Sequence, residues 1–327
     1  MVTLADIAAV SGCSISVVSR VLNSKPGSTA RIAAATRKKV QETAAALGYR
    51  PNRNAEFLQR GKTPEIGVFL PDYGNSLILD IVRGCSEKAR ENGFPLSFFF
   101  NMAPDSYESF LNTTIGQRSC GLITCAPELE LAGKSCELIR DYCNNGGCLV
   151  LIDSNSQQRE FFPNSARVMI DDETGGRIVA KKLLASNCET FFVQAPKRPR
   201  TFGFMEFLKK AGKNATLFAR DDAATDELLA QILNTPEKVG VFCGSDKIAM
   251  RLYSKLLAAG ITPGDRIKLI GYDDIYSVDA LHPALTTVKQ PFYECGKAAV
   301  EQLLNLIYHR PAEDVIYQPH LVERGTA

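Results

Sequence analysis

The sequence predicts a mixed α/β protein: an N-terminal all-α helix-turn-helix head joined to a body of two doubly wound parallel-sheet subdomains. Three observations carry this. From Glu65 onward, short apolar runs alternate with amphipathic helical segments, the pattern of parallel sheets covered by helices on both faces. The first fifty residues instead hold three short helical patterns, separated by Gly12 and by the turn NSKPG at 23–27. The charge is also split: the 327-residue chain nets +2, yet residues 1–62 carry ten Lys and Arg against three acids, so the head is +7 and the remainder −5. A small basic head on a mildly acidic body assigns contact with a polyanion to the head.

In the head, Thr3 followed by Asp6 reads as a capping box, with Asp in place of the usual Glu. Leu4, Ile7, Ala8 and Val10 form the first apolar stripe, and Gly12 ends it. Ser14 caps a second helix whose inner face is Val17, Val18, Val21 and Leu22. A third helix from about Ala33 turns Val40, Ala44 and Leu47 inward and stops at Gly48 in the C′ position. Two short helices joined by a tight turn and backed by a third make a helix-turn-helix, whose second helix enters the DNA major groove by its N-terminal end. Ile15, Ser16 and Ser19 then face bases, and Arg20 a base or a phosphate. A three-helix bundle with a polar face is the competing reading.

The segments TLADIAAVSGCSISVVSRVLN (3–23) and TRKKVQETAAALGYRPNRNAEFLQRGKTPEIGVFLPD (36–72) closely resemble the LacI/GalR family of bacterial transcriptional regulators. The resemblance continues through GLI at Gly121, DDETGG (171–176), RTFGF (200–204), GSDKIA (244–249), LIGYDD (269–274) and LTTVKQP (285–291). It implies a helix-turn-helix domain at 1–50, a hinge helix and linker at 51–63, and a periplasmic-binding-protein-like, effector-binding and dimerising body at 64–327. The hinge helix after YRPN would order on double-stranded operator DNA, with Leu58 wedged into the minor groove and Ala55 beside it, an apolar wedge that opens a base step and bends the duplex. The DNA-contacting set is completed by Thr3, Ser14, Asn23, Tyr49, Asn52 and Arg53. The chain departs from the family at Asn54, where an apolar residue is common, at Ala33, where a capping serine is common, and in the longer loop NSKPGSTARIA.

Candidate strands of the body are 66–70, 95–100, 121–126, 148–153, 166–171, 190–195, 216–220, 239–244 and 267–272. Candidate helices are 77–92, 107–117, 134–145, 174–185, 201–211, 225–233, 246–259 and 292–308. The two subdomains are placed at about 64–165 and 166–284, with a crossing C-terminal segment 285–327 that includes a tail strand in DVIYQPHLV. Ligands of open α/β sheets bind beyond the carboxyl ends of strands. Those positions hold Asp72, Tyr73 and Asn75, then Asp153, then Lys197, Arg198 and Arg200, then Ser245 and Asp246, then Tyr272, Asp273 and Asp274. Carboxylates, an amide, a guanidinium and an aromatic face suit a polyhydroxylated ligand. The effector-binding set is Asp72, Tyr73, Asn75, Asp153, Arg200, Ser245, Asp246 and Asp273, with Arg200 and Asp273 assigned by the resemblance. Many sugar-binding members have Asn where Ser245 stands, which removes a two-way amide. Other readings stand beside this one: Asp72, Asp246 and Asp274 as helix N-caps, Arg200 as the partner of a carboxylate, and APKRPR (195–200) as the mark of an anionic ligand.

G-x-G-x-x-G, G-x-x-x-x-G-K-[ST] and G-x-S-x-G are absent, and the adjacent acids at 171, 221 and 273 point to opposite sides of an extended chain, so no enzyme is expected. The ten cysteines lack C-x-x-C and the three histidines are scattered; neither a metal nor a cofactor is expected, and the cysteines read as reduced, mostly buried thiols. No secretory signal or membrane span is seen, so the expected location is the cytoplasm. The expected protein is a regulator, most simply a repressor, that acts as a homodimer on a near-palindromic operator and responds to a small polar, sugar-like effector of neutral or anionic character. The alternative is a solute-binding or chemoreceptor-type module without a DNA function.

Overall fold

The computed structural model describes residues 2–22, 32–49, 57–58, 61–72, 76–101, 104–125, 134–152 and 162–327. The chain divides into two compact units, Met1–Thr63 and Pro64–Ala327.

In the first unit, α1 (Leu4–Ser11) opens with the capping box: the Asp6 N–H donates to Thr3 Oγ1 at 3.3 Å, and the Asp6 carboxylate accepts from the Thr3 N–H at 2.8 Å. Gly12, at φ 64°, ends the helix in the left-handed conformation. Ser14 Oγ accepts from the Val17 N–H at 3.3 Å and starts α2 (Ile15–Leu22). Helix α3 (Ala34–Ala46) starts at Ala33 without a side-chain cap. It stops in a Schellman motif, in which the Gly48 N–H donates to Ala45 O and the Tyr49 N–H to Ala44 O. The three helices bury Ile7, Ala8, Val18, Val21, Val40 and Ala44 together. Each fully buried Ile or Val contributes about 1.5–3 kcal/mol. Val10, expected in this core, is exposed; on a helix Ser11 completes the stripe begun by Leu4, Ile7 and Ala8, and Ser11 is buried in its place.

The second unit is built from two lobes. The first contains β1 (Thr63–Leu70), α4 (Ser76–Glu91), β2 (Leu96–Phe100), α5 (Pro104–Gly116), β3 (Ser119–Thr124), α6 (Lys134–Asn144), β4 (Leu149–Ile152) and β5 (Ser165–Ile170). The second contains α7 (Asp172–Ala185), β6 (Thr190–Gln194), α8 (Pro199–Lys210), β7 (Ala215–Phe218), α9 (Asp222–Leu233), β8 (Val239–Cys243), α10 (Asp246–Ala258) and β9 (Ile267–Ile270). The chain then runs through β10 (Thr287–Lys289), α11 (Phe292–Ile307), β11 (Val315–Tyr317) and β12 (His320–Val322). The first sheet has the order β11-β5-β4-β3-β1-β2 and the second β7-β6-β8-β9, with β10 and β12 forming an antiparallel ribbon.

The expected subdomain boundary at 165/166 needs correction. Strand β5 pairs in parallel with β4, Leu149 opposite Ser165 and Val150 opposite Ala166, so it closes the first sheet and the chain crosses between lobes after Ile170. A strand followed by a helix has the same local pattern whichever sheet it joins, so the alternation alone carried no boundary. The tail also divides: β11 lies parallel on β5, while β12 pairs with β10. All ten cysteines are free thiols, nine of them buried; burial pushes the Cys85 thiol up to about 12.

Two helix pairs meet through glycine. A Cβ on Gly84 of α4 would lie 2.1 Å from the Tyr293 carbonyl oxygen of α11, and one on Gly296 of α11 would lie 2.4 Å from that of Ile81. In the second lobe, a Cβ on Gly176 of α7 would lie 1.8 Å from the Arg200 carbonyl oxygen, and one on Gly203 of α8 would lie 2.1 Å from that of Glu173. The second approach sets the N-terminal turns of α7 and α8 side by side, which positions the charged cluster described next.

Candidate effector site and DNA-facing helix

In the second sheet the strand order reverses between β6 and β8, the place where a crevice opens in doubly wound folds. Arg200 follows β6 and Gly244 follows β8, on either side of that crevice. Because α7 touches α8 there, the Asp172 carboxylate reaches Arg200: Nε and Nη2 both donate to Asp172 Oδ2, at 2.9 and 2.8 Å. Nη1 donates to the Gly244 carbonyl at 3.1 Å and lies 3.6 Å from Asp273 Oδ1. The guanidinium sits 3.9 Å above the Tyr272 ring, whose hydroxyl donates to Asp172 Oδ1 at 2.9 Å. Asp273 Oδ1 also accepts from Gln290 Nε2 at 2.7 Å. Burial pushes the Asp273 carboxyl up to about 7, against the pull of Arg200.

This cluster forms one wall of a cavity of about 610 Å³. Its lining includes Arg200, Gly244, Ser245, Asp273, Gln290 and Phe292, with Leu77 contributed by the first lobe. Three of the expected effector residues, Arg200, Ser245 and Asp273, therefore share one cavity. Ser245 also caps α10, accepting from the Ile248 N–H at 3.4 Å. Asp72, exposed at the end of β1, is not part of the lining, because the described walls come mainly from strand ends of the second sheet. Tyr73, Asn75 and Asp153 lie outside the described residues.

Asp246 is a correction. Its carboxylate is fully buried and turned away from the cavity, accepting from Thr287 Oγ1 at 2.6 Å and from the Ile275 N–H at 3.0 Å. It ties the start of α10 to the loop after β9 and to β10. The local sequence, an acid just after a strand, is the same for a residue pointing either way. Tyr272, which follows β9, is buried beneath Arg200; among the described residues the ring in the lining is Phe292. Asp172 and Gln290, neither singled out as a contact, both belong to the cluster. The signals for them were present in DDETGG and LTTVKQP, but nothing local showed that those segments meet.

Burial is the main reason the Asp246 carboxyl rises from 3.8 to about 7; the bonds from Thr287 and Ile275 oppose the rise. The folded state therefore holds this proton more tightly than the unfolded chain. The resulting stabilisation is full below about pH 4 and is lost as pH rises through about 7. Asn at this position donates to Thr287 Oγ1, accepts from Ile275 and does not titrate. Asp246→Asn is thus expected to gain roughly 2 kcal/mol on the parent protein between pH 5 and pH 8. Denaturant unfolding at both pH values checks this, and parallel pH profiles for the two proteins would count against it.

In the first unit, Ser14, Ile15, Ser16 and Arg20 are exposed along the start and outer face of α2, and Ser19 is half-buried beside them. The Thr3 hydroxyl is engaged in its capping box, donating to Asp6 Oδ2 at 2.8 Å, and Tyr49 packs against the head core. Leu58 is 76% exposed, next to the buried Phe57. Asn23, Asn52, Arg53 and Ala55 lie outside the described residues.

A helix-turn-helix unit followed in sequence by a two-lobed body with a polar cavity at its strand ends defines a ligand-responsive transcription regulator. Residues 3–52 match the bacterial regulatory proteins of the lacI family, and residues 183–327 match the periplasmic binding protein-like domain. The chain therefore carries the DNA-binding segment of the lacI family and a periplasmic binding protein-like domain. It is 28% identical to the ribose operon repressor of Bacillus subtilis, across 98% of this chain and 96% of that one. It is 26% identical to the catabolite control protein A of Priestia megaterium, across 98% of both chains. Among solved structures, the lac repressor dimer bound to operator and the anti-inducer ONPF has the same fold, with a TM-score of 0.68 and 24% identity over 99% of this chain and 98% of that one. A LacI family regulator from Enterococcus faecium with bound ribose matches at a TM-score of 0.67 and 22% identity, over 80% of this chain and 98% of that one.

Proposed function

We propose that the chain is a homodimeric repressor whose affinity for operator DNA is set by a small polar, sugar-like effector in the cavity at the β6–β8 switch. The observation that carries this reading is the convergence of Arg200, Ser245, Asp273 and Gln290 on one cavity in a chain that also carries the family's DNA-binding segment. Hydroxyls of a ligand find a carboxylate and an amide there, and Phe292 offers an apolar surface. Relatives support the proposal: one is a ribose operon repressor, one is a regulator with bound ribose, and the lac repressor is a dimer on its operator. A ligand touching both lobes favours their closed arrangement, and operator affinity changes only as far as the effector distinguishes the two arrangements.

On the DNA side, the proposed contacts are Ser14, Ile15, Ser16, Ser19 and Arg20 from α2, with Thr3, Asn23, Tyr49, Asn52 and Arg53 flanking them and Leu58, with Ala55, as the minor-groove element. Relatives that are repressors, and the absence of enzyme motifs, support a protein that binds rather than catalyses. Among the described residues no single helix is long and apolar enough to cross a membrane, in keeping with a cytoplasmic role.

Arg20→Ala is expected to lower specific operator affinity by about 1–3 kcal/mol, tenfold or more, while the body melts unchanged. Gel shifts with the protein's own upstream DNA, repeated across salt concentrations, test both the residue and the electrostatic character of the complex. An affinity indifferent to salt would remove the DNA-binding proposal, and an affinity indifferent to this substitution would remove Arg20 from the contact set.

A further inference from the structure

The cavity has a second end with different chemistry. Besides Arg200 it is lined by Arg198, Arg220, Lys247 and Arg251, set at or near the first turns of α8, α9 and α10. The acids nearby are already engaged. Asp222 holds Arg251 Nε at 2.7 Å, and Asp221 caps α9 by accepting from the Ala224 N–H at 2.8 Å. Asp172 and Asp273 face Arg200. Arg220 and Lys247 are exposed, and among the described residues neither has an ion-pair partner. Three helices direct their N-terminal turns at the same space, and α8 starts there with no side-chain cap. Helix N-termini carry partial positive charge and unsatisfied N–H groups, so they add to the two cations rather than offset them.

The inner end asks for the opposite partner. Gln290 is 5% exposed, and its Nε2 is committed to Asp273. Among the described residues its Oε1 is buried without a donor, and the residue lines the cavity. A buried acceptor of this kind is satisfied by a ligand hydroxyl. A molecule that satisfies both ends carries hydroxyls at one end and an anion at the other.

We propose that the effector is a phosphorylated polyol, a sugar phosphate, with its phosphate against Arg220 and Lys247 and a hydroxyl donating to Gln290 Oε1. This rests on the reading of the cavity as the effector site and narrows its ligand class. A phosphate monoester offers three acceptor oxygens and up to two charges, which suit two cations and converging helix N-termini. A neutral sugar engages only the inner end.

The test is calorimetric titration of the full chain with paired probes: ribose and ribose 5-phosphate, glucose and glucose 6-phosphate, with inorganic phosphate as competitor. Each is repeated with the Arg220→Gln/Lys247→Gln double variant and with Asp273→Asn, after thermal melts show that both fold. The expected result is that at least one phosphorylated probe binds about tenfold or more tighter than its parent sugar. The double variant then loses the preference for the phosphate while keeping the parent's weak affinity, and added salt or inorganic phosphate weakens only the phosphorylated probe. A parent sugar that binds as tightly as its phosphate, and loses affinity in Asp273→Asn, overturns the phosphate proposal and leaves the effector cavity standing. Binding that neither variant alters, or no binding of any probe at millimolar concentration, overturns the cavity reading as well.

Discussion

Arg200→Ala is expected to cost the body about 3–5 kcal/mol and to weaken effector binding about tenfold or more. The side chains of Arg200, Asp172 and Asp273 are each only 11–12% exposed, so removing the cation leaves two carboxylates in a dry site with no positive partner. Tyr272 and Gln290 still donate to them, but neither supplies charge. An unpaired buried carboxylate escapes by taking a proton, so the penalty should shrink as pH falls from 8 to 5. Arg200→Lys keeps the charge but not the planar fork that spans Asp172 and the Gly244 carbonyl, and should fall between the two. Denaturant unfolding at both pH values, beside calorimetry with a bound effector, measures each part. If Arg200→Ala melts like the parent at pH 8, the cluster does not hold the lobe together. If it binds the effector like the parent, the contact lies elsewhere.

Gly176→Ala should be nearly as damaging, although it adds one methyl group. The new carbon would stand 1.8 Å from the Arg200 carbonyl oxygen, a backbone atom fixed within α8, and no rotamer change relieves the overlap. The helices must separate, which draws Asp172 away from Arg200 and loosens the packing at Gly203. The expected loss is about 3 kcal/mol, a fall of roughly 6–12 °C in melting temperature. Gly116 is the control: it lies in α5, an added Cβ meets nothing within 4 Å, and alanine there is expected to be neutral or to stabilise by up to about 1 kcal/mol. Equal melting temperatures for the two variants would show that the α7–α8 approach tolerates a side chain.

Much of this molecule was legible because its local rules agree with one another. The capping box at Thr3, the serine start of α2 and the Gly48 stop each depend on neighbours within five residues, and each appears where the local chemistry puts it. The strands of the body show as apolar runs because parallel strands are covered on both faces. What could not be read was anything decided across the sheet. The side on which Asp246 hides its carboxylate depends on Thr287, forty-one positions away. That Asp172 rather than a ligand occupies the fork of Arg200 depends on two glycines meeting between helices. The membership of β5 depends on strand pairing and leaves no mark on its own residues.

The route of the chain leaves the two lobes unequally complete while it is being made. The second sheet draws its four strands from one continuous stretch, Thr190–Ile270. The first sheet waits for β11 to cover its β5 edge, and for α11, whose Leu303 fills the space over Gly121 of β3. A ribosome makes α11 and β11 only after all four strands of the second sheet. During synthesis the first lobe's apolar strands stay uncovered until α11 and β11 emerge, while its younger neighbour already holds its whole sheet and lacks only the tail that carries β12, Thr326 and Ala327. A nascent chain halted before Phe292 should therefore expose the face of β3, β4 and β5 to chaperones and proteases, and the second lobe should be the part that resists them.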